Sequence, residues 1–207
     1  MDPQFLITAF VALFVVIDPI GLAPLFVALT AGMSAQKRRS IAIRACLVSI
    51  GILLVFSIFG HNILNFAGIS MPAFRIAGGI LLFLTALEML FERRQKRREG
   101  RAEEDDIDDD DPSVFPLAIP LIAGPGAITT IILLVGQTDG TKGYAAVMGV
   151  LLAIIALVFL MFLSASTIER LLGKTGITVV TRLLGMLLAA LSVQFVLDGL
   201  GSFGLGN

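Results

Sequence analysis

The chain has 207 residues, 57% of them hydrophobic, with a mean hydropathy of +0.95. Soluble domains use roughly 45–50% apolar residues, so this composition is that of an integral membrane protein. A formal net charge of −1 argues against nucleic acid as a partner, and a single cysteine and a single histidine exclude an internal disulfide and Cys- or His-cluster metal sites.

About 20 apolar residues are needed to cross the roughly 30 Å hydrocarbon core. Six runs meet that need, at about 5–30, 40–60, 71–91, 115–136, 144–166 and 178–200, which predicts an all-α membrane protein. The first run follows MDPQF, which lacks a positive n-region, so it is expected to be a span rather than a cleaved leader. Asp18, Pro19, Gly21 and Pro24 interrupt it. Proline removes a backbone donor and clashes with the preceding turn, so span 1 is expected to break into two half-helices. Asp18 lies about 13 residues into the run, roughly 20 Å at 1.5 Å per residue, near mid-bilayer.

Span 2 carries Cys46 and ends at His61, Asn62 and Asn65, which read as interfacial. Span 3 holds Gly68-Ile-Ser70 at its start, then Arg75, Gly78, Gly79 and Thr85. Glu88 and Glu92 close it at a hydrated end. Residues 92–113 form a charged linker, a basic block followed by EEDDIDDDD. Its basic block could rest on anionic headgroups as a cation or lipid sensor. The reading preferred here is a solvated linker whose like charges repel.

Span 4 repeats the interruption with Pro120, Gly124, Pro125 and Gly126, and Pro120 to Pro125 has the spacing of Pro19 to Pro24. Span 6 repeats span 3. Arg182, Gly185 and Ser192 stand at the spacing of Arg75, Gly78 and Thr85, and Gly176-Ile-Thr178 echoes Gly68-Ile-Ser70. Each half then has three spans. Residues 1–91 and 114–207 are expected to be inverted three-helix repeats around the linker, with spans 1 and 4 broken mid-membrane, an arrangement suited to alternating access. Of the fifteen Lys and Arg residues, only Arg75 and Lys142 fall outside if both termini are extracytoplasmic, so the positive-inside rule sets that orientation.

The breaks carry the available chemistry. Asp18 with Pro19, and Gly124 with Pro125, can each start a half-helix whose free N–H groups and positive dipole end would face an anion such as a carboxylate. Gly21, Gly124 and Gly126 would admit a small ligand close to the backbone, and Thr129 and Thr130 could add hydroxyl contacts. Asp18, the only acidic residue near mid-membrane, could receive an ammonium, carry a coupling proton, or cap its own helix. Thr85 and Ser192 could line the site or bond back to their own helices. Gln194, deep in span 6, is costly unless paired and reads as functional. Gly78, Gly79 and Gly185 read as helix-contact residues, and Arg75 and Arg182 as snorkelling span ends. No combination of nucleophile, base and carboxylate, phosphate loop or metal-ligand spacing suggests an enzyme, and no cofactor is implied.

DPIGLAP in span 1, GISMPAFRIAGG in span 3, PLAIPLIAGPGAIT in span 4 and RLLGMLLAALSVQFVLDG in span 6 together resemble the MarC family of integral membrane proteins (UPF0056), over nearly the whole chain apart from the acidic linker. The resemblance implies a cytoplasmic (inner) membrane transporter of small neutral amino acids such as alanine, glycine or serine. Family members often have Asn where this chain has Leu22, and some have Asn at the position of Asp18. The expected function is a proton-coupled secondary transporter, with substrate-binding residues Asp18, Pro19, Gly21, Pro24, Pro120, Gly124, Pro125, Gly126, Thr129, Thr130, Thr85, Ser192 and Gln194. Its partners would be the amino acid and membrane lipids. The alternatives are a non-transporting membrane scaffold or sensor, or a channel for small solutes.

Overall fold

The computed structural model describes residues 3–93, 111–138 and 140–202. In chain order the helices are α1 (Pro3–Ile17), α2 (Pro19–Leu29), α3 (Ala35–Phe66), α4 (Met71–Leu90), α5 (Pro125–Val135), α6 (Gly140–Leu163) and α7 (Ala165–Gly201), with an irregularly wound segment, Ser113–Ile122, ahead of α5. Among the described residues, five helical stretches are long and apolar enough to cross a membrane, and a sixth is gained if Ser113–Ile122 and α5 count as one span bent by 55°. The charged linker expected at 92–113 lies, from 94 to 110, outside the described residues.

Local sequence explains where the helices start and stop. Ser34 and Ser70 cap α3 and α4 by accepting from the backbone N–H groups of Lys37 and Ala73, each at 3.3 Å. With 32 residues, α3 runs about 48 Å, longer than the hydrocarbon core, so its basic first turns extend beyond the apolar layer. Gly173, at φ 61° and ψ 176°, bends α7 between its first turns and its apolar stretch, a backbone conformation that glycine adopts without steric cost.

Ser113–Ile122 departs from the expected half-helix. Pro116 and Pro120 lie inside it, and the residue before each, Phe115 and Ile119, is extended at φ −122°. A residue preceding proline is pushed away from helical φ/ψ, and proline supplies no N–H, so α-type bonding fails at both places. The surviving bonds are wider: Leu117 N–H donates to the Pro112 carbonyl at 3.2 Å and Ala123 N–H to the Ala118 carbonyl at 2.9 Å. Two adjacent prolyl peptides, Phe115–Pro116 and Ile119–Pro120, are cis.

The packing has a repeating pattern. α4 lies along α7; α2 packs on α6 and α7, while α5 packs on α3 and α4; α1 meets α6, while Ser113–Ile122 meets α3; and α1 meets α5. Glycines set the α4–α7 separation. A Cβ on Gly79 would stand 2.7 Å from the Ser192 carbonyl oxygen, one on Gly185 2.9 Å from Met89 Cβ, and one on Gly199 3.0 Å from the Pro72 carbonyl oxygen. These small residues let the two backbones approach, as expected for Gly79 and Gly185. Phe26 of α2 stacks on Phe162 of α6 at 4.4 Å between ring centroids. The Ser57 and Tyr144 hydroxyls share a hydrogen bond of 2.9 Å between α3 and α6.

Two ion pairs flank the linker. Arg44 of α3 pairs with Asp111, which also accepts from the Ser113 N–H at 3.1 Å, and Arg182 of α7 pairs with Glu92. Desolvation would raise the Asp111 carboxyl, but the Ser113 N–H bond and the Arg44 charge outweigh it and hold the group below the usual aspartate range.

Candidate functional site: two helix breaks side by side

The first break is built around Asp18. Its N–H still donates to the Phe14 carbonyl at 2.9 Å, so it completes α1, and its own carbonyl accepts from Leu22 N–H at 3.1 Å to open α2. Between these roles the backbone turns left-handed, at φ 58° and ψ 63°, a region that Asp tolerates better than most residues. The Asp18 carboxylate then accepts from Gly21 N–H at 3.1 Å. A Cβ on Gly21 would stand only 2.2 Å from Asp18 Oδ2. Gly21 therefore makes room for the Asp18 carboxylate rather than for a ligand. Asp18 is 1% exposed and Pro19 is buried, with Pro24 half-buried inside α2. The positive end of α2 is thus filled by a carboxylate from its own chain.

The second break is different. Gly124 is the extended N-cap of α5, at φ −82° and ψ 172°, with no side chain to offer, and Pro125 takes the first helical position without an N–H. The first orphan donors belong to Gly126 and Ala127. Among the described residues no group accepts from either. Pro125 is exposed, and Pro120 and Gly126 are half-buried. Gly124 is small for a local reason: a Cβ there would lie 2.3 Å from the Pro120 carbonyl oxygen. Gly126 is small because of its neighbours. Its Cβ would meet Val16 Cγ1 of α1 at 3.1 Å and Leu82 Cδ2 of α4 at 3.5 Å. Val16 is two residues before Asp18, so the two breaks lie side by side.

The expected hydroxyls divide. Thr85, Thr130 and Ser192 donate to carbonyls of their own helices, those of Leu81, Gly126 and Ala189, at 3.0, 2.8 and 2.7 Å. Thr129 makes no such bond. It is 7% exposed, and its methyl carbon would stand 2.5 Å from a Cβ on Gly78 of α4. Gln194 is not part of this cluster. It is exposed on the outer side of α7 and donates to Asp198 at 2.7 Å, one turn on. Its place on an apolar span suggested burial, but the helix phase that buries Ser192 and Phe195 turns Gln194 outward.

Arg75, expected at a span end, lies in the first turns of α4. Arg75 shares the α4 face with Gly78, Gly79 and Leu82, and its Nε is buried with no hydrogen-bond partner. The available signal was its register: Arg75 and Gly79 are four apart, and Gly79 contacts α7.

The model of the MarC family of integral membrane proteins matches residues 3–203. The UPF0056 membrane protein YvbG of Bacillus subtilis is 40% identical over 199 residues, covering 95% of this chain and 94% of that protein. A UPF0056 membrane protein of Methanocaldococcus jannaschii is 34% identical, covering 97% of this chain and 98% of its own. The UPF0056 inner membrane protein YhgN of Escherichia coli is 33% identical, covering 94% and 95%. No solved structure matches the chain. By family model and by relatives matched over nearly their full length, the chain is an integral membrane protein and belongs to the MarC family.

Proposed function

We propose that the chain is a proton-coupled secondary transporter of small neutral amino acids, such as alanine, glycine and serine, whose carboxylate is held at the N-terminus of α5. The observation that carries this reading is the uncapped start of α5, with Pro125 exposed and the Gly126 and Ala127 N–H groups unpaired, beside the end of α1. Free N–H groups and a positive helix end suit a carboxylate. The Asp18 carboxylate near the same seam suits an ammonium better than a second anion. Together these opposite charges fit a zwitterion, and the close packing of Val16 and Leu82 around Gly126 favours a small one.

The packing supports two inverted halves. Three pairings come in matched sets: α2 on α7 with α5 on α4, α2 on α6 with α5 on α3, and α1 on α6 with Ser113–Ile122 on α3. In such transporters the substrate sits between the repeats at broken helices, and the halves rock around it. In this reading the chain lies in the cytoplasmic membrane with both termini outside, because that orientation leaves only Arg75 and Lys142 of the basic residues outside.

Uptake of labelled alanine, glycine and serine into proteoliposomes, with and without an imposed pH gradient, tests the proposal. Accumulation that rises with the gradient is expected. Failure of all three to enter vesicles containing correctly inserted protein would refute amino acid transport.

A further inference from the structure

Arg75 and Arg182 occupy the same position in the two repeated motifs, yet the fold treats them differently. Arg182 is exposed and has a partner, Glu92. Arg75 is partly buried, its Nε is sealed from solvent without a hydrogen bond, and among the described residues no carboxylate pairs with it. The stem and Nε are packed into the protein while the two terminal nitrogens are not sealed, so the outer edge of the guanidinium stays accessible at this end of α4. The register of α4 explains the burial. Positions 75, 79, 82, 86 and 89 recur at helical spacing, and the last four are all buried against the rest of the protein.

That face of α4 leads to the start of α5. Gly78, one turn from Arg75, is the contact for Thr129 and Leu133 of α5, and Gly136 at the end of α5 stands against Met71 at the start of α4. The antiparallel seam therefore presents, in order, Arg75, then Thr129, then the unpaired N–H groups at Gly126 and Ala127. All three are donors suited to a carboxylate, roughly a helical turn apart. A guanidinium within a membrane protein without a counter-charge is costly, and such groups mark ligand pathways. Its planar fork matches a carboxylate with two parallel hydrogen bonds.

We propose that Arg75 is a carboxylate-binding residue at the mouth of the α4–α5 seam, which receives the substrate's carboxylate before it passes to the α5 N-terminus. This assignment rests on the transport reading above and adds a binding residue to it. It places the mouth on the membrane face opposite the 92–113 linker, the side that the charge distribution sets outside.

Direct binding to purified protein in detergent tests the assignment with three probes: alanine, alaninamide, which lacks the carboxylate, and propionate, which lacks the ammonium. The parent is expected to bind alanine best, propionate more weakly and alaninamide least. Arg75→Gln should weaken alanine and propionate at least about tenfold, while Arg182→Gln leaves both unchanged. Arg75→Lys keeps charge and stem but loses the fork, and should weaken alanine several-fold; it carries the test if Arg75→Gln does not give monodisperse protein. Binding of alanine by either Arg75 variant as tightly as by the parent would overturn the assignment while leaving the transport reading intact. A parent that binds neither alanine nor propionate would also overturn it. Arg75-dependent binding of propionate by a parent that carries no amino acid in proteoliposomes would support the assignment and reject the amino acid reading.

Discussion

The two helix breaks share a proline spacing but not a construction. In the first, the break falls at the leading proline: Pro19 starts α2 and Pro24 lies inside it. In the second it falls at the trailing proline: Pro120 belongs to the irregular segment and Pro125 starts α5. The first break supplies its own anion, the Asp18 carboxylate on Gly21 N–H, and the second supplies none. A helix N-terminus is an anion site only if nothing already occupies it. The comparison therefore assigns the open end to α5 alone, where the sequence repeat suggested two equivalent ends.

The largest expected effect comes from Gly124. Its Cβ would strike the backbone carbonyl of Pro120, which cannot move aside as a side chain can, so Gly124→Val should cost on the order of 3 kcal/mol and yield little folded protein. Gly126→Val meets the side-chain ends of Val16 and Leu82 instead and should cost only about 1 kcal/mol. It should still reduce alanine binding at least about tenfold, or about 1.4 kcal/mol, by covering the α5 donors. Thermal unfolding with and without alanine separates the two variants. If Gly126→Val binds alanine normally, the open end of α5 is not the site.

Asp18 gives the next effect. Asp18→Ala loses the cap and leaves alanine in a left-handed conformation, for about 2 kcal/mol together, whereas Asp18→Asn keeps both features and should cost less than about 0.5 kcal/mol. Asp18→Asn removes the charge offered to the ammonium and should weaken alanine uptake without abolishing it. Loss of its pH-gradient dependence in that variant would give the carboxylate a coupling role in addition to its cap. Equal stabilities for the Ala and Asn variants would show that the cap contributes nothing.

The smallest effect is at the linker flank. Asp111 is depressed below its ordinary value of 3.8, so its contribution is complete above about that pH and fades as the pH falls through the lowered folded value. Its side chain is 35% exposed and that of Arg44 60%, so the pair should be worth less than about 1 kcal/mol. Asp111→Asn should therefore be slightly less stable than the parent near neutrality, with the two curves converging in acid. A gap that widens on acidification would contradict this sign.

Much of the architecture was legible because apolar run length and proline chemistry act locally. Run length located the helices long and apolar enough to cross a membrane, and Asp-Pro and Gly-Pro located the starts of α2 and α5. The glycines of spans 3 and 6 were read correctly as helix contacts, since an apolar helix with small residues on one face has few other uses for them. Ser113–Ile122 departs from a half-helix because two pre-proline residues, Phe115 and Ile119, fall four apart and each is pushed out of helical φ/ψ.

The sequence by itself determined the membrane character, the approximate limits of the apolar runs, and the starts of α2 and α5, because hydropathy and missing N–H groups are properties of the chain. Only the tertiary structure decided what each glycine and polar group faces. Gly21 admits the Asp18 carboxylate, Gly124 a neighbouring carbonyl, and Gly126 the end of α1. Gln194 turns outward, and Arg75 is half-buried with its Nε sealed. Those outcomes depend on the rotation of each helix about its axis, which is set by the surfaces packed against it and not by residue type.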